Sequence, residues 1–216
     1  MNASSTKVSL RTRLRAARAA LSTIDQTRAG ERLAARVVGT RWFRVSRRIA
    51  CYLAADGEID PAFVIERIWA MHKRCYLPVL SRLLADSLWF APMEPGVQFA
   101  ENRFGIPEPV VPARQRVRAQ RLDLVLLPLV GFDVHGNRLG MGAGFYDRSL
   151  AFLRHRRCWQ KPYLLGLAHD FQRVDRLPPD PWDIRLDAVV TDTTVYPSRV
   201  DEAVPADWIP SGALAE

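Results

Sequence analysis

The chain has 216 residues, of which 48% are hydrophobic, and its 31 lysines and arginines against 23 aspartates and glutamates give a formal charge of +8. That length suits one domain with a packed core. No run of about 18 apolar residues is present, which excludes an obvious membrane helix, and the polar start Met1–Lys7 lacks the apolar segment of a secretory signal, so a cytosolic protein without membrane attachment is expected.

Three cysteines, Cys51, Cys75 and Cys158, are too few and too scattered for a disulfide framework or a CxxC metal site, and buried inert thiols are expected. The basic surplus, nearly all arginine, is compatible with nucleic acid, with a small polyanion, or with a mere preference for arginine. The basic residues are spread along the chain with no aromatic-rich RNA signature, so no nucleic-acid partner is expected.

In chain order, Lys7 to Leu21 predicts an amphipathic helix with Leu10, Leu14, Ala17 and Leu21 on its apolar face and Lys7, Arg11, Arg15 and Arg18 on another. Such a basic stripe is either a solvated face or a set of phosphate contacts, since an anion would relieve the repulsion between charges four residues apart. Thr23 and Gln26 suggest a capping box opening a second helix from about Ile24 to about Val38, the two pairing as a hairpin. Arg48–Ala54 reads as the first strand, Asp60 and Pro61 as the start of a helix to about His72, and Arg74–Val79 as the next strand. This is a βαβ unit with parallel strands, and Glu58 falls at the carboxyl end of the first, where ligands gather in open α/β sheets.

Leu88–Pro92 reads as a further strand, and Asn102–Pro112 as a proline-rich, irregular pocket wall. Leu122–Leu129 is an apolar strand, followed by a glycine loop and a helix to about Arg157. Tyr163–Ala168 and Leu186–Thr191 are the last strands, with the loop Leu177–Arg185 between them carrying Asp180 and Asp183. From about 197 to 216 a poorly ordered tail is expected, with Trp208 as a docking candidate. The whole, residues 1–216, reads as one α/β domain: an open, mostly parallel sheet flanked by helices, with an N-terminal helical hairpin.

The glycine loop concentrates the chemistry. Glycines 131, 136, 140, 142 and 144 lie between a strand and a helix start, where unpaired N–H groups can cradle an anion, although a tight turn would use the same residues. It is not a Walker A loop, because no Lys-Ser or Lys-Thr follows, and it lacks the acidic ribose partner of a dinucleotide fingerprint. Arg138 before the last glycines and Asp147 after them suggest phosphate and magnesium, with Asp183 as second carboxylate; Asp147 could also pair with Arg148 or Arg154. His135 reads as a surface residue of the turn.

Pro128–Asp133 with Gly136–Arg148 closely resembles the signature of the 5-formyltetrahydrofolate cyclo-ligases, also called methenyltetrahydrofolate synthetases. Lys7–Arg11, Glu58, Asn102–Pro109 and Leu177–Thr191 agree in order, so the resemblance covers nearly the whole chain. It implies conversion of 5-formyltetrahydrofolate to 5,10-methenyltetrahydrofolate with ATP and magnesium, on a fold similar to sugar-phosphate isomerases and CoA transferases. It assigns ATP to Lys7, Arg11, Arg138, Gly140, Gly142, Gly144 and Tyr146, folate to Leu53, Glu58, Met141 and Phe145, and the metal to Asp147 and Asp183, with Arg138 and Asp147 at the chemistry. A reduced folate, possibly polyglutamylated, and ATP are then the partners, and a monomer is expected. Met141, Ala143 and Phe145 depart from the side chains usual in that family. The alternative is a non-catalytic nucleotide or folate binder of the same fold.

Overall fold

The computed structural model describes residues 3–80, 87–103, 105–155 and 161–198. Phe104, Cys158, the expected helix end near Arg157, Trp208 and the tail from residue 199 lie outside them. The chain opens with α1 (Ala3–Ala19) and α2 (Thr23–Gly39), as the periodicity predicts, but α1 starts earlier than Lys7 and α2 is capped one residue sooner than expected. Ser22, not Thr23, is the N-cap: its Oγ accepts from Asp25 N at 3.1 Å. Thr23 is already helical, and its carbonyl accepts from Thr27 Oγ1 at 2.9 Å.

The two consecutive helices, joined by the short turn 20–22, pack into different clusters. Ala29, Leu33, Ala34 and Val37 of α2 enter the main core, whereas Leu14 of α1 packs in a separate cluster with Val130, Leu139 and Leu177. Ala17, assigned to the apolar face, is exposed, and Arg18 is fully buried in its stead. The helix has therefore turned its mixed face toward the glycine stretch rather than its alanines toward α2.

After the short α3 (Arg41–Val45), β1 (Arg48–Ala50) leads through a loop to α4 (Ala62–Ala70) and β2 (Arg74–Leu80). Asp60 Oδ1 accepts from Ala62 N at 2.9 Å, which opens α4 as expected. Antiparallel β3 (Leu88–Met93) follows. The proline-rich wall is partly regular: β4 (Phe99–Glu101) and β5 (Pro107–Pro109) form an antiparallel pair, tied to β2 by Glu108 Oε1, which accepts from Leu80 N and Asn102 Nδ2, both at 2.8 Å.

The strand β6 (Leu124–Pro128) enters the glycine stretch, which folds as a two-stranded hairpin, β7 (Gly131–Phe132) and β8 (Arg138–Leu139). The helix beyond it is far shorter than expected: α5 spans Phe145–Ser149 and tightens into a 3-10 turn over Ala151–His155. Ser149 Oγ donates to the Phe145 carbonyl at 2.6 Å and accepts from Leu88 N at 2.8 Å, which fastens this single turn to the edge strand. Then come β9 (Tyr163–Ala168), β10 (Ala188–Thr191) and an edge strand absent from the sequence reading, β11 (Val195–Pro197).

The seven-stranded sheet runs β11-β10-β9-β6-β1-β2-β3, with the inner strands parallel and both edges antiparallel. Leu124 and Leu126 of β6 face the core under α2 and α4, and Val125 and Leu127 face the opposite core, which explains its unbroken apolar run. The thiols of Cys51 and Cys75 are buried and unbonded; burial raises both, Cys75 to about 12, so they are inert as expected. No helix among the described residues is long and apolar enough to cross a membrane.

The cap assignment is testable. Ser22→Ala should cost about 1 kcal/mol in urea unfolding, whereas Thr23→Ala should cost less than half of that; the reverse order would restore Thr23 as the cap.

Candidate active site

The order of the sheet reverses at β1. From β1 the chain builds outward through β2 on one side, and β6 returns to pair with its other edge, so the carboxyl ends of β1 and β6 flank a topological switch point. The loop after β1 carries Leu53 and Glu58, and the segment after β6 carries the glycines. The two halves of the expected site therefore meet where an open sheet leaves a crevice.

The β1–α4 loop is tightly wound. Tyr52 Oη donates to the Ile59 carbonyl at 2.7 Å, closing the loop, and Glu58 Oε2 accepts from Ala55 N at 3.3 Å. Asp56 and Gly57 both have positive φ, at 53° and 70°. A Cβ at Gly57 would meet the Arg18 backbone at 3.1 Å, so the turn needs glycine both for conformation and for the close approach of α1.

The helix α1 holds this loop and the glycine hairpin together. Arg18, 0% exposed, donates from Nη2 to Asp56 Oδ2 at 3.0 Å and from Nη1 to the Leu129 carbonyl at 3.3 Å. Arg15 adds a second bond to Asp56 Oδ2 at 2.8 Å. Further up the helix, Arg11 Nε donates to the Gly140 carbonyl at 2.9 Å and Lys7 Nζ to Asp180 Oδ2 at 2.7 Å. The basic stripe thus divides: Arg15 and Arg18 brace the β1–α4 loop, while Lys7 and Arg11 reach the glycines and the Leu177–Arg185 loop.

The hairpin itself is built by Asp133. Its buried carboxylate accepts from His135 N, Asn137 N, Asn137 Nδ2 and Leu177 N, at distances of 2.8–3.0 Å. His135 is exposed on the turn, as expected. Beyond β8 the chain is open: Gly142 has φ +107°, a conformation closed to L side chains, with Arg11 Cζ 4.0 Å from the position of a Cβ. Gly144 caps α5 at φ +66°. None of the N–H groups of residues 140–144 donates to a carbonyl among the described residues, which leaves these main-chain donors available to an acceptor.

Arg138 and Asp147, expected to act on phosphate and metal, bond to each other. Arg138 Nη2 donates to Asp147 Oδ1 and Nη1 to the Ile184 carbonyl, and Ile184 N donates to the same Oδ1 at 3.2 Å. The peptide next to Asp183 is thereby fixed against Asp147. Asp183 Oδ2 accepts from Asp180 N at 2.8 Å. Among the described residues no group of three or more His, Cys, Asp or Glu side chains is arranged to hold a metal. Magnesium is commonly held by one or two carboxylates plus phosphate oxygens and water; Asp147 Oδ1 and Asp183 Oδ2 are both taken up here by internal hydrogen bonds.

On the opposite wall, burial pushes Glu58 up to about 7, against the opposing pull of the Ala55 N–H and the Arg18 charge. Burial and the Glu58 charge also raise the hydroxyls of Tyr52 and Tyr146, which places Tyr146 of the glycine segment within electrostatic range of Glu58. Phe145 is half-buried beneath the Arg148 guanidinium, 5.3 Å from its ring centroid, and Met141 is 50% exposed. Arg18 and Trp182 have no individual role that their place in the sequence announces. Arg18 lies four residues after Leu14 and so on its face, a signal that was available; Trp182, 58% exposed beside Asp183, carries no periodic signal.

Comparison with known proteins decides the family. The model of the 5-formyltetrahydrofolate cyclo-ligase family matches residues 3–192. The chain belongs to that family. It is 40% identical over 183 residues to the 5-formyltetrahydrofolate cyclo-ligase of Escherichia coli K12, covering 85% of this chain and 98% of that one. The Haemophilus influenzae cyclo-ligase is 36% identical over 179 residues, with 82% and 92% covered. Among solved structures, the Aquifex aeolicus 5,10-methenyltetrahydrofolate synthetase superposes with a TM-score of 0.75 at 31% identity, covering 89% of this chain and 93% of that one. The Mycoplasma pneumoniae synthetase does so with 0.66 at 26% identity, covering 86% and 98%. The chain is an enzyme of this family, and its mostly parallel sheet flanked by helices is the family fold.

The raised Glu58 gives a pH signature. Between its unfolded value, near 4.3 for a glutamate, and its folded value of about 7, the native state holds the extra proton, so stability falls as pH rises through that window. Glu58→Gln should therefore melt higher than the wild type at pH 8 and no higher at pH 4.5. Equal melting at both would remove the buried charge.

Proposed function

We propose that the chain converts 5-formyltetrahydrofolate to 5,10-methenyltetrahydrofolate, consuming ATP and releasing ADP and phosphate. What carries this reading is the meeting, at one switch point, of an open main-chain cradle flanked by Lys7, Arg11 and Arg138 with a half-buried carboxyl, Glu58, on the facing wall. The names of the relatives supply the substrate class.

The formyl group on N5 is an amide and a poor electrophile. Transfer of the γ-phosphoryl group to its oxygen makes that oxygen a leaving group; N10 then attacks the formyl carbon, the C–O bond breaks, phosphate departs, and N10 gives up its proton. Such a route asks for positioning and charge neutralisation rather than a covalent catalyst. Backbone N–H groups of Gly140, Gly142 and Gly144 hold phosphate oxygens, and Lys7, Arg11 and Arg138 neutralise them. Asp147 and Asp183 would hold magnesium, which would supply positive charge to the phosphates. Arg138 is paired with Asp147 in the free protein, so phosphate gives Arg138 an alternative anion while Asp147 is released for a cation. Glu58 accepts the pterin's N–H donors, Leu53 and Phe145 pack against its ring, Met141 covers its outer edge, and Tyr146 bridges the two ligands.

With 5-formyltetrahydrofolate, ATP and magnesium, the purified chain should develop the near-ultraviolet absorbance of the methenyl product. Ligand binding without that absorbance would favour a non-catalytic binder. Asp147→Asn should lower turnover at least ~100-fold, in line with loss of a transition-state charge contact, with its melting temperature within a few degrees of wild type; undiminished turnover would take Asp147 out of the mechanism.

Arg138→Ala should raise the KM for ATP by about tenfold or more, the loss expected for a charge-assisted bond, and leave the KM for folate nearly unchanged. The opposite ordering would reassign the arginine to folate.

A further inference from the structure

The opposite end of the sheet carries a second concentration of charge. At the amino ends of β1, β2, β6 and β9 lies an open basin of about 920 Å³, where Arg44, Arg47, Arg48, Lys73, Arg74 and Lys161 surround a single carboxylate, Asp123. The chain as a whole balances 31 cations with 23 carboxylates, so a generally basic surface does not account for this local excess.

The floor of the basin is built. Asp123, 8% exposed, accepts from Arg47 N at 3.0 Å, Arg48 N at 2.8 Å and Lys161 Nζ at 3.3 Å. Lys73 Nζ donates to the Ser46 carbonyl at 2.6 Å and the Arg44 carbonyl at 3.1 Å. These bonds spend the one acid and both lysines internally and fix the backbone that carries the arginines, of which Arg48 also lies 3.8 Å from Asp123 Oδ1. Arg48 and Arg74 are in-register neighbours on β1 and β2, so their side chains leave the same face of the sheet. Arg44, Arg47 and Arg74 are exposed and have no carboxylate partner among the described residues. Burial and the neighbouring Arg47 charge hold Lys73 below its usual range, a sign of the crowding that an anion would relieve.

The lining includes no Phe, Tyr or Trp among the described residues, with His72 its one aromatic ring, and its guanidinium forks match the oxygens of phosphate. We propose that this basin is a second anion site that binds an oligophosphate chain across Arg47, Arg48 and Arg74, separate from the site at the carboxyl ends of the strands. The phosphate chain is either inorganic or the tail of a nucleotide, and the binding chemistry is common to both.

Calorimetric titration of the full chain with sodium tripolyphosphate at low salt tests this. Two binding events are expected. Arg47→Glu with Arg74→Glu should weaken one by about tenfold or more, and Arg11→Ala should weaken only the other. The reversed-charge pair should keep wild-type turnover; should it fail to fold, Arg47→Gln with Arg74→Gln is read in its place. Loss of the basin event to added ATP assigns the nucleotide tail, and indifference to ATP assigns the inorganic chain; both uphold the site. A single event abolished by the basin pair upholds the basin and overturns the cradle reading. The proposal falls if the folded pair retains both events, or if the wild type shows one event that Arg11→Ala removes.

Discussion

Burying Arg18 is the constraint on which the rest of the site depends. A guanidinium with no solvent exposure must find its partners inside the fold, and Arg18 takes one from each half of the sheet: Asp56 after β1 and the Leu129 carbonyl after β6. Gln172 Nε2 reaches the same Leu129 carbonyl at 2.6 Å and that of Val130 at 2.9 Å, so the start of the glycine stretch is held from two sides. The Arg18 Nε has no partner among the described residues, which adds to the cost of placing the group there. A hydrophobic residue at this position would pack α1 without fixing the two loops relative to each other.

Much of this was legible in the sequence because it is periodic or local. The unbroken apolar run of β6, the βαβ unit around Asp60 and Pro61, and the glycine spacing each encode their own structure, and Glu58 could be placed at a strand end without coordinates. The failures have physical causes. Ser22 and Thr23 are both good caps, and only the entry geometry of the chain decides between them. The α-helix after the glycines gives way to a 3-10 turn after Ser149, whose hydroxyl is shared between its own turn and Leu88 N of a distant strand, a tertiary bond that propensity does not report. The prolines at 107 and 109 suggested irregularity, yet a marginal two-stranded pair tolerates them. β11 is three residues long and takes its register from β10.

The site residues divide in the same way. Main-chain features, the positive φ of Gly142 and Gly144 and the unpaired donors between them, follow from residue type alone. Side-chain partnerships do not: Lys7 with Asp180, Arg11 with the Gly140 carbonyl, and Arg138 with the Ile184 carbonyl join residues far apart in the chain. The free enzyme keeps its opposite charges mutually neutralised, which avoids stranding an unpaired ion in the crevice before ligands arrive.

The order in which the sheet is assembled has a consequence for how the enzyme comes into being. β1, α4, β2 and β3 are consecutive and can pair as a local unit, whereas β1 meets β6 only by closing a loop; Arg48 N and the Asp123 carboxylate that receives it are 75 residues apart. Non-local closure of that kind is the slow part of folding an α/β domain. The crevice opens between those two strands, so a chain that has folded its first half owns Glu58 but no cradle. Glu58 and the glycine stretch are therefore brought together only by that long-range pairing, and not by the local folding of the first half.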